Sequence, residues 1–101
     1  MAWYIDGPED LPITVFYKKY VPILEDILHN PDASVLITDR PGCAIKVARY
    51  LKKHEYRNCW IYHLGDKPRH NLGSFRTRGG FKSWKEAREK MAQDSKHHFK
   101  V

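Results

Sequence analysis

Three arginines, Arg69, Arg76 and Arg78, fall in a stretch of residues 65–82 that also holds four glycines, Phe75, Phe81, His70 and two lysines. Guanidinium groups pair with phosphate, aromatic rings stack on bases, and glycine lets backbone come close. The mixture suits a nucleotide or a single-stranded nucleic acid. A second group lies at Thr38-Asp39-Arg40-Pro41-Gly42, where an apolar run meets a helical pattern. A helix N-terminus offers unpaired N–H groups and the positive end of a dipole, Gly42 admits a close ligand, and Arg40 adds a cation. Asp6 and Gly7 close a third turn of this kind.

Other candidates carry less. His97 and His98 are adjacent, so in a strand they face opposite ways and cannot chelate one metal; no metal site or cofactor is expected. Cys43 sits near a helix start, where a thiolate is favoured, but no base stands beside it and a packed thiol is the better reading. Tyr17-Lys18-Lys19-Tyr20 reads as a helix face with its lysine stems laid along it. Cys43 and Cys59 make no disulfide framework and no CxxC pair, which fits a reducing cytoplasm.

These residues need elements to hold them. Ala2–Ile5, Ser34–Thr38 and Asn58–Leu64 are short apolar runs and read as buried strands. Helical periodicity begins at Thr14 and ends at Asn30-Pro31, with Pro22 expected to kink it or mark a late start. A second helix is read from Cys43 to His54. Residues 65–82 lack periodicity and read as a long functional loop. Ser83, with Glu86 three residues on, forms a capping box for a helix reaching about Ser95, and His97–Val101 reads as a fourth strand. Strands alternating with helices imply an α/β domain over residues 1–101: three layers, Rossmann-like, a small parallel sheet in the order 3-2-1-4. Ligands in such sheets sit beyond the carboxyl ends of the strands, near the point where strand order reverses.

With 101 residues the chain is one domain, and 42% hydrophobic with 30% charged residues is a folded composition. No apolar run is long enough for a membrane span, and the first residues do not read as a secretory signal. The charge is lopsided. Residues 1–64 hold 8 basic and 8 acidic residues, residues 65–101 hold 10 and 4, so the whole excess of +6 is C-terminal. One anion-facing surface is implied.

The run from Gly42-Cys43-Ala44 through Tyr50–Asn71, followed by Thr77-Arg78-Gly79-Gly80-Phe81-Lys82-Ser83, resembles the SLOG superfamily, the Rossmann-like group of LOG and DprA-type proteins with many small bacterial and phage members. The resemblance covers nearly the whole chain and is strongest from Tyr62-His63 to Asn71. It implies a pocket for a nucleotide or nucleotide derivative. Asp6 and Gly7 match the family's first turn; Thr38, Asp39 and Gly42 its second; Arg69 and Asn71 its third. The LOG pattern Pro-Gly-Gly-x-Gly-Thr-x-x-Glu is absent, Ala44 stands where the family often has an acid, and Thr38 where it has glycine. Against the family the chain reads as degenerate and shortened at its C-terminus.

The expected function is a non-catalytic nucleotide-binding module, with Asp6, Gly7, Thr38, Asp39, Arg40, Gly42, Arg69, Asn71, Arg76, Arg78 and Gly79 as ligand-binding residues. The rival is an interaction protein, for example a phage-encoded inhibitor of a host nucleic-acid or defence machine, gripping a protein or single-stranded nucleic acid through its basic loop. Third comes a nucleotide N-glycoside hydrolase, for which Asp6 and Asp39 are the only carboxylates at strand ends. A homodimer is expected from the short terminal strand and from Trp84 and Met91 on the last helix.

Overall fold

The structure, a computed structural model, describes residues 1–71 and 75–100. Five strands form one sheet: β1 (Ala2–Ile5), β2 (Ser34–Thr38), β3 (Cys59–Leu64), β4 (Arg76–Phe81) and β5 (His97–Phe99). Their order is β4-β3-β2-β1-β5 and each pair is parallel. The architecture is α/β, with a parallel sheet between helices, compatible with a Rossmann-like fold.

One expectation is corrected. The stretch 65–82 is not loop throughout: Arg76–Phe81 is a fifth strand beside β3, so the order gains β4 at its far edge and the terminal strand becomes β5. The predicted core order, with β1 between β2 and the terminal strand, stands inside it. The connection from β3 to β4 carries no helix among its described residues, and Phe75 at its end is buried in the core instead.

Alternation along the strands divides the sheet into two faces. One carries Val35, Ile37, Cys59 and Ile61. It is covered by a helical run over residues 13–28 and by α3 (Cys43–Lys53), which contribute Phe16, Tyr20, Leu24, Ile27, Val47 and Leu51. That run is α1 (Ile13–Val15), a π-helical stretch Phe16–Tyr20, and α2 (Val21–Leu28). Pro22 does not end it. The ring has no N–H and crowds the carbonyl four residues back, and the wide π turn directly before α2 takes up the misfit. The other face has one helix, α4 (Trp84–Asp94), whose Met91 packs against Tyr4, Leu36 and Tyr62.

The Ser83 hydroxyl accepts the Glu86 N–H at 3.2 Å, as the capping box predicts, while the Glu86 carboxylate accepts from Lys82 N–H rather than from Ser83. Met91 is fully buried, and the Arg69 guanidinium lies 5.8 Å from the Trp84 ring centre, so both residues cited for self-association have partners within the chain. No helix among the described residues is long and apolar enough to cross a membrane.

Candidate functional site

The strand order reverses direction at β1, between β2 and β5, and a cleft of about 630 Å³ opens beyond the carboxyl ends there. Its size falls within the range of small-molecule sites. Tyr4, Asp6, Gly7 and Pro8 come from β1 and its turn, Arg40 from the turn after β2, Arg88 and Glu89 from α4, and His98 and Lys100 from the end of the chain. Tyr4 and His98, paired across β1 and β5, stack with ring centres 4.3 Å apart and planes 2° from parallel. His97 stacks on Trp3 on the opposite face, so the two histidines are divided between faces as their adjacency requires.

The turn after β1 is tightly made. Asp6 Oδ1 accepts Gly7 N–H at 2.8 Å, and the Tyr20 hydroxyl donates to the Asp6 carbonyl at 2.8 Å. A Cβ on Gly7 would lie 2.7 Å from Cys43 Sγ, so this position is glycine because of what packs beneath it. Burial and the neighbouring Asp6 push the Tyr4 hydroxyl up to about 12, so it enters any ligand contact as a neutral donor.

Gly42 adopts φ +88 as the residue capping α3, and a Cβ there would run into the backbone of Glu9. The turn 6–12 lies over this end of the helix, and Cys43 N–H donates to the Pro8 carbonyl at 3.2 Å. The glycine is required, but it faces the chain's own backbone. Cys43 is buried and its thiol is pushed up to about 11, chiefly by that burial, which removes the thiolate a helix start would otherwise favour. Arg40 donates through Nε and Nη2 to Glu9 Oε1, at 3.2 and 3.0 Å.

The remaining expected residues lie elsewhere. Thr38 is buried at the end of β2 and its hydroxyl accepts Arg40 N–H. Asp39, 3% exposed, accepts Arg69 N–H at 2.6 Å. Asn71 spends both ends of its carboxamide on the Phe75 backbone, at 2.8 and 2.9 Å. Arg76 and Arg78 do not share a loop with Arg69. They are strand residues two apart, over the rings of Trp60 and Tyr62, and Arg78 also meets Asp94 at 3.3 Å. Gly79 lies against the ring of His63, where a Cβ would collide.

Of the predicted residues, Asp6, Gly7 and Arg40 line the cleft. Arg88, Glu89, His98 and Lys100 went unrecognised. For His98 and Lys100 the signal was the two-residue period of the last strand, which puts them on the Tyr4 face. For Arg88 it was the place next to Ala87, one turn before Met91, on a helix whose buried stripe is only that pair.

Among the described residues no group of three His, Cys, Asp or Glu side chains is placed to hold a metal ion. Compared with family models, curated proteins and solved structures, the chain matches none at a significant level.

Proposed function

We propose that the protein is a binding module for a nucleotide or nucleotide derivative, held in the cleft between β1 and β5 without being transformed. The observation that carries this reading is the gathering of Arg40, Arg88 and Lys100 from three separate elements around a cleft at the strand-order reversal. Phosphate oxygens would pair with these cations, and a flat base would lie against the Tyr4–His98 stack. Asp6 offers an acceptor for a sugar hydroxyl while it holds the Gly7 turn. The phosphate would be gripped by side chains and not by the start of α3, which the turn 6–12 covers. Binding without turnover is favoured because Asp6 already serves as a turn former. The resemblance to the SLOG superfamily points the same way.

The test is calorimetric titration with AMP, ADP, ADP-ribose and inorganic pyrophosphate. At least one nucleotide should bind, and Arg88→Ala should weaken it. Absence of heat and of thermal stabilisation with all four at millimolar concentration would end this reading.

A further inference from the structure

A different surface stands out on the helical side of the molecule. Between α1 with its π stretch and α3 runs a groove of about 200 Å³. Phe16 and Tyr50 form its floor, their rings 6.4 Å apart and edge-on. Ile13 and Tyr17 form one wall. They are 53% and 58% exposed, and with Met1 they are the large apolar residues most open to water among the described residues. Lys46, Arg49 and Lys53 form the other wall, at positions i, i+3 and i+7 on one face of α3.

None of these three cations is in an ion pair among the described residues, whereas Arg40, Arg69 and Arg78 each have a carboxylate. An apolar trough with a cationic wall is therefore left open, and none of its lining residues lines the cleft between β1 and β5.

We infer that this groove docks an acidic amphipathic helix of a partner protein, its apolar anchors between Tyr17 and Tyr50 and its carboxylates against Lys46, Arg49 and Lys53. Charge complementarity selects this occupant. A second copy of the chain would bring like-charged walls together. A nucleic-acid backbone would satisfy the cations and leave Ile13 and Tyr17 wet. From Lys46 to Lys53 is seven residues, about 10 Å along the axis, so two turns of a partner helix match the wall.

The test uses a fluorescein-labelled helical peptide of roughly 15 residues, long enough to hold some helix, with Leu at every third or fourth place and Glu between. Anisotropy titrations and amide chemical shifts are recorded with the full chain. The peptide should bind and shift residues of α1, the π stretch and α3. Tyr17→Ala, and separately the pair Arg49→Glu with Lys53→Glu, should each weaken it about tenfold or more, as anchors of an interface do. A peptide with Lys for Glu should prefer the charge-reversed pair. These positions are exposed, and circular dichroism of each variant checks its fold. No binding at millimolar peptide, shifts confined to other surfaces, or variants that bind like the parent would overturn the proposal. So would equal binding by polyglutamate or by an oligothymidylate of similar length, since charge alone would then explain it.

Discussion

Arg69 reaches the buried carboxylate of Asp39 twice: its backbone N–H donates to Oδ2 at 2.6 Å and its guanidinium lies 3.7 Å from Oδ1. Residues thirty apart in sequence are thus tied at the carboxyl ends of the strands, and the link anchors the crossover between β3 and β4. Oδ1 has no hydrogen-bond partner in the described residues beyond that longer ion pair, so the backbone bond is the stronger half. Asp39→Ala should destabilise the fold by about 2 kcal/mol, as expected for a hydrogen bond to a charged group. Asp39→Asn keeps an acceptor for the N–H and should cost less. Denaturant titrations of the two variants read the difference.

A neighbouring constraint sits under β4. Gly79 faces His63, whose ring is 2% exposed. Gly79→Ala should cost about 2 kcal/mol by overpacking. His63→Ala opens space at the same point, so the double variant should be markedly less destabilised than the sum of the single ones. Additivity in the denaturation midpoints would show that the two do not share a contact.

The terminus of α4 gives a pH dependence. Burial alone would raise the Asp94 carboxyl, but the Tyr62 hydroxyl at 2.6 Å, Lys90 and Arg78 outweigh it and hold the group below its ordinary range. A carboxyl lowered in the folded state adds stability above its unfolded pKa and loses it as pH falls through the folded value. Tyr62→Phe removes one donor. It should cost about 1 kcal/mol at neutral pH, discounted because Asp94 is 25% exposed. The gap to the parent should narrow as pH falls below the ordinary carboxylate range and close once the carboxyl is protonated in both states. A gap constant through that fall in pH would show that Asp94 is not the group involved.

Burial holds both thiols protonated at neutral pH: Cys43 is pushed up to about 11, and Cys59 is raised further still. Native protein should react slowly with a chromogenic disulfide, and both thiols should react promptly in denaturant. Fast native labelling at Cys43 would place it at a more open surface than the packing of Gly7 and Tyr20 allows.

The strands that the sequence reveals are those whose apolar runs are buried on two sides: Trp3–Ile5, Val35–Thr38 and Cys59–Leu64. Arg76-Thr77-Arg78-Gly79-Gly80-Phe81 gives no such signal. It is an exposed edge strand, and its conformation comes from pairing with β3, a contact between distant segments that no local pattern records. The same difference runs through the site. Asp6, Gly7 and Arg40 are legible because turns at strand ends announce themselves in glycine, proline and aspartate. Arg88 and Lys100 reach the cleft only because α4 crosses beneath the sheet and returns the chain beside β1.

That return sets the decisive comparison for the nucleotide reading. Arg88 lines the cleft and is in no ion pair among the described residues, while Arg69 is engaged with Asp39 and lies outside the lining. If a mononucleotide occupies the cleft, Arg88→Ala should weaken it by roughly 1.5–3 kcal/mol, the range for a hydrogen bond to a charged group. Lys100→Ala should act in the same direction by less, because an ammonium on a flexible four-carbon stem loses more freedom per hydrogen bond than a planar guanidinium. Arg40→Ala should fall between them, since its guanidinium must share with Glu9. Arg69→Ala should leave affinity within about twofold and lower stability only slightly, because it removes the longer ion pair with Asp39 and the Trp84 contact but keeps the backbone bond. Affinity measured by calorimetry across these four variants, with stability measured alongside, separates cleft from scaffold. If Arg69→Ala abolished binding while Arg88→Ala left it unchanged, the ligand would belong at the Asp39 turn and the β1–β5 cleft would lose its assignment.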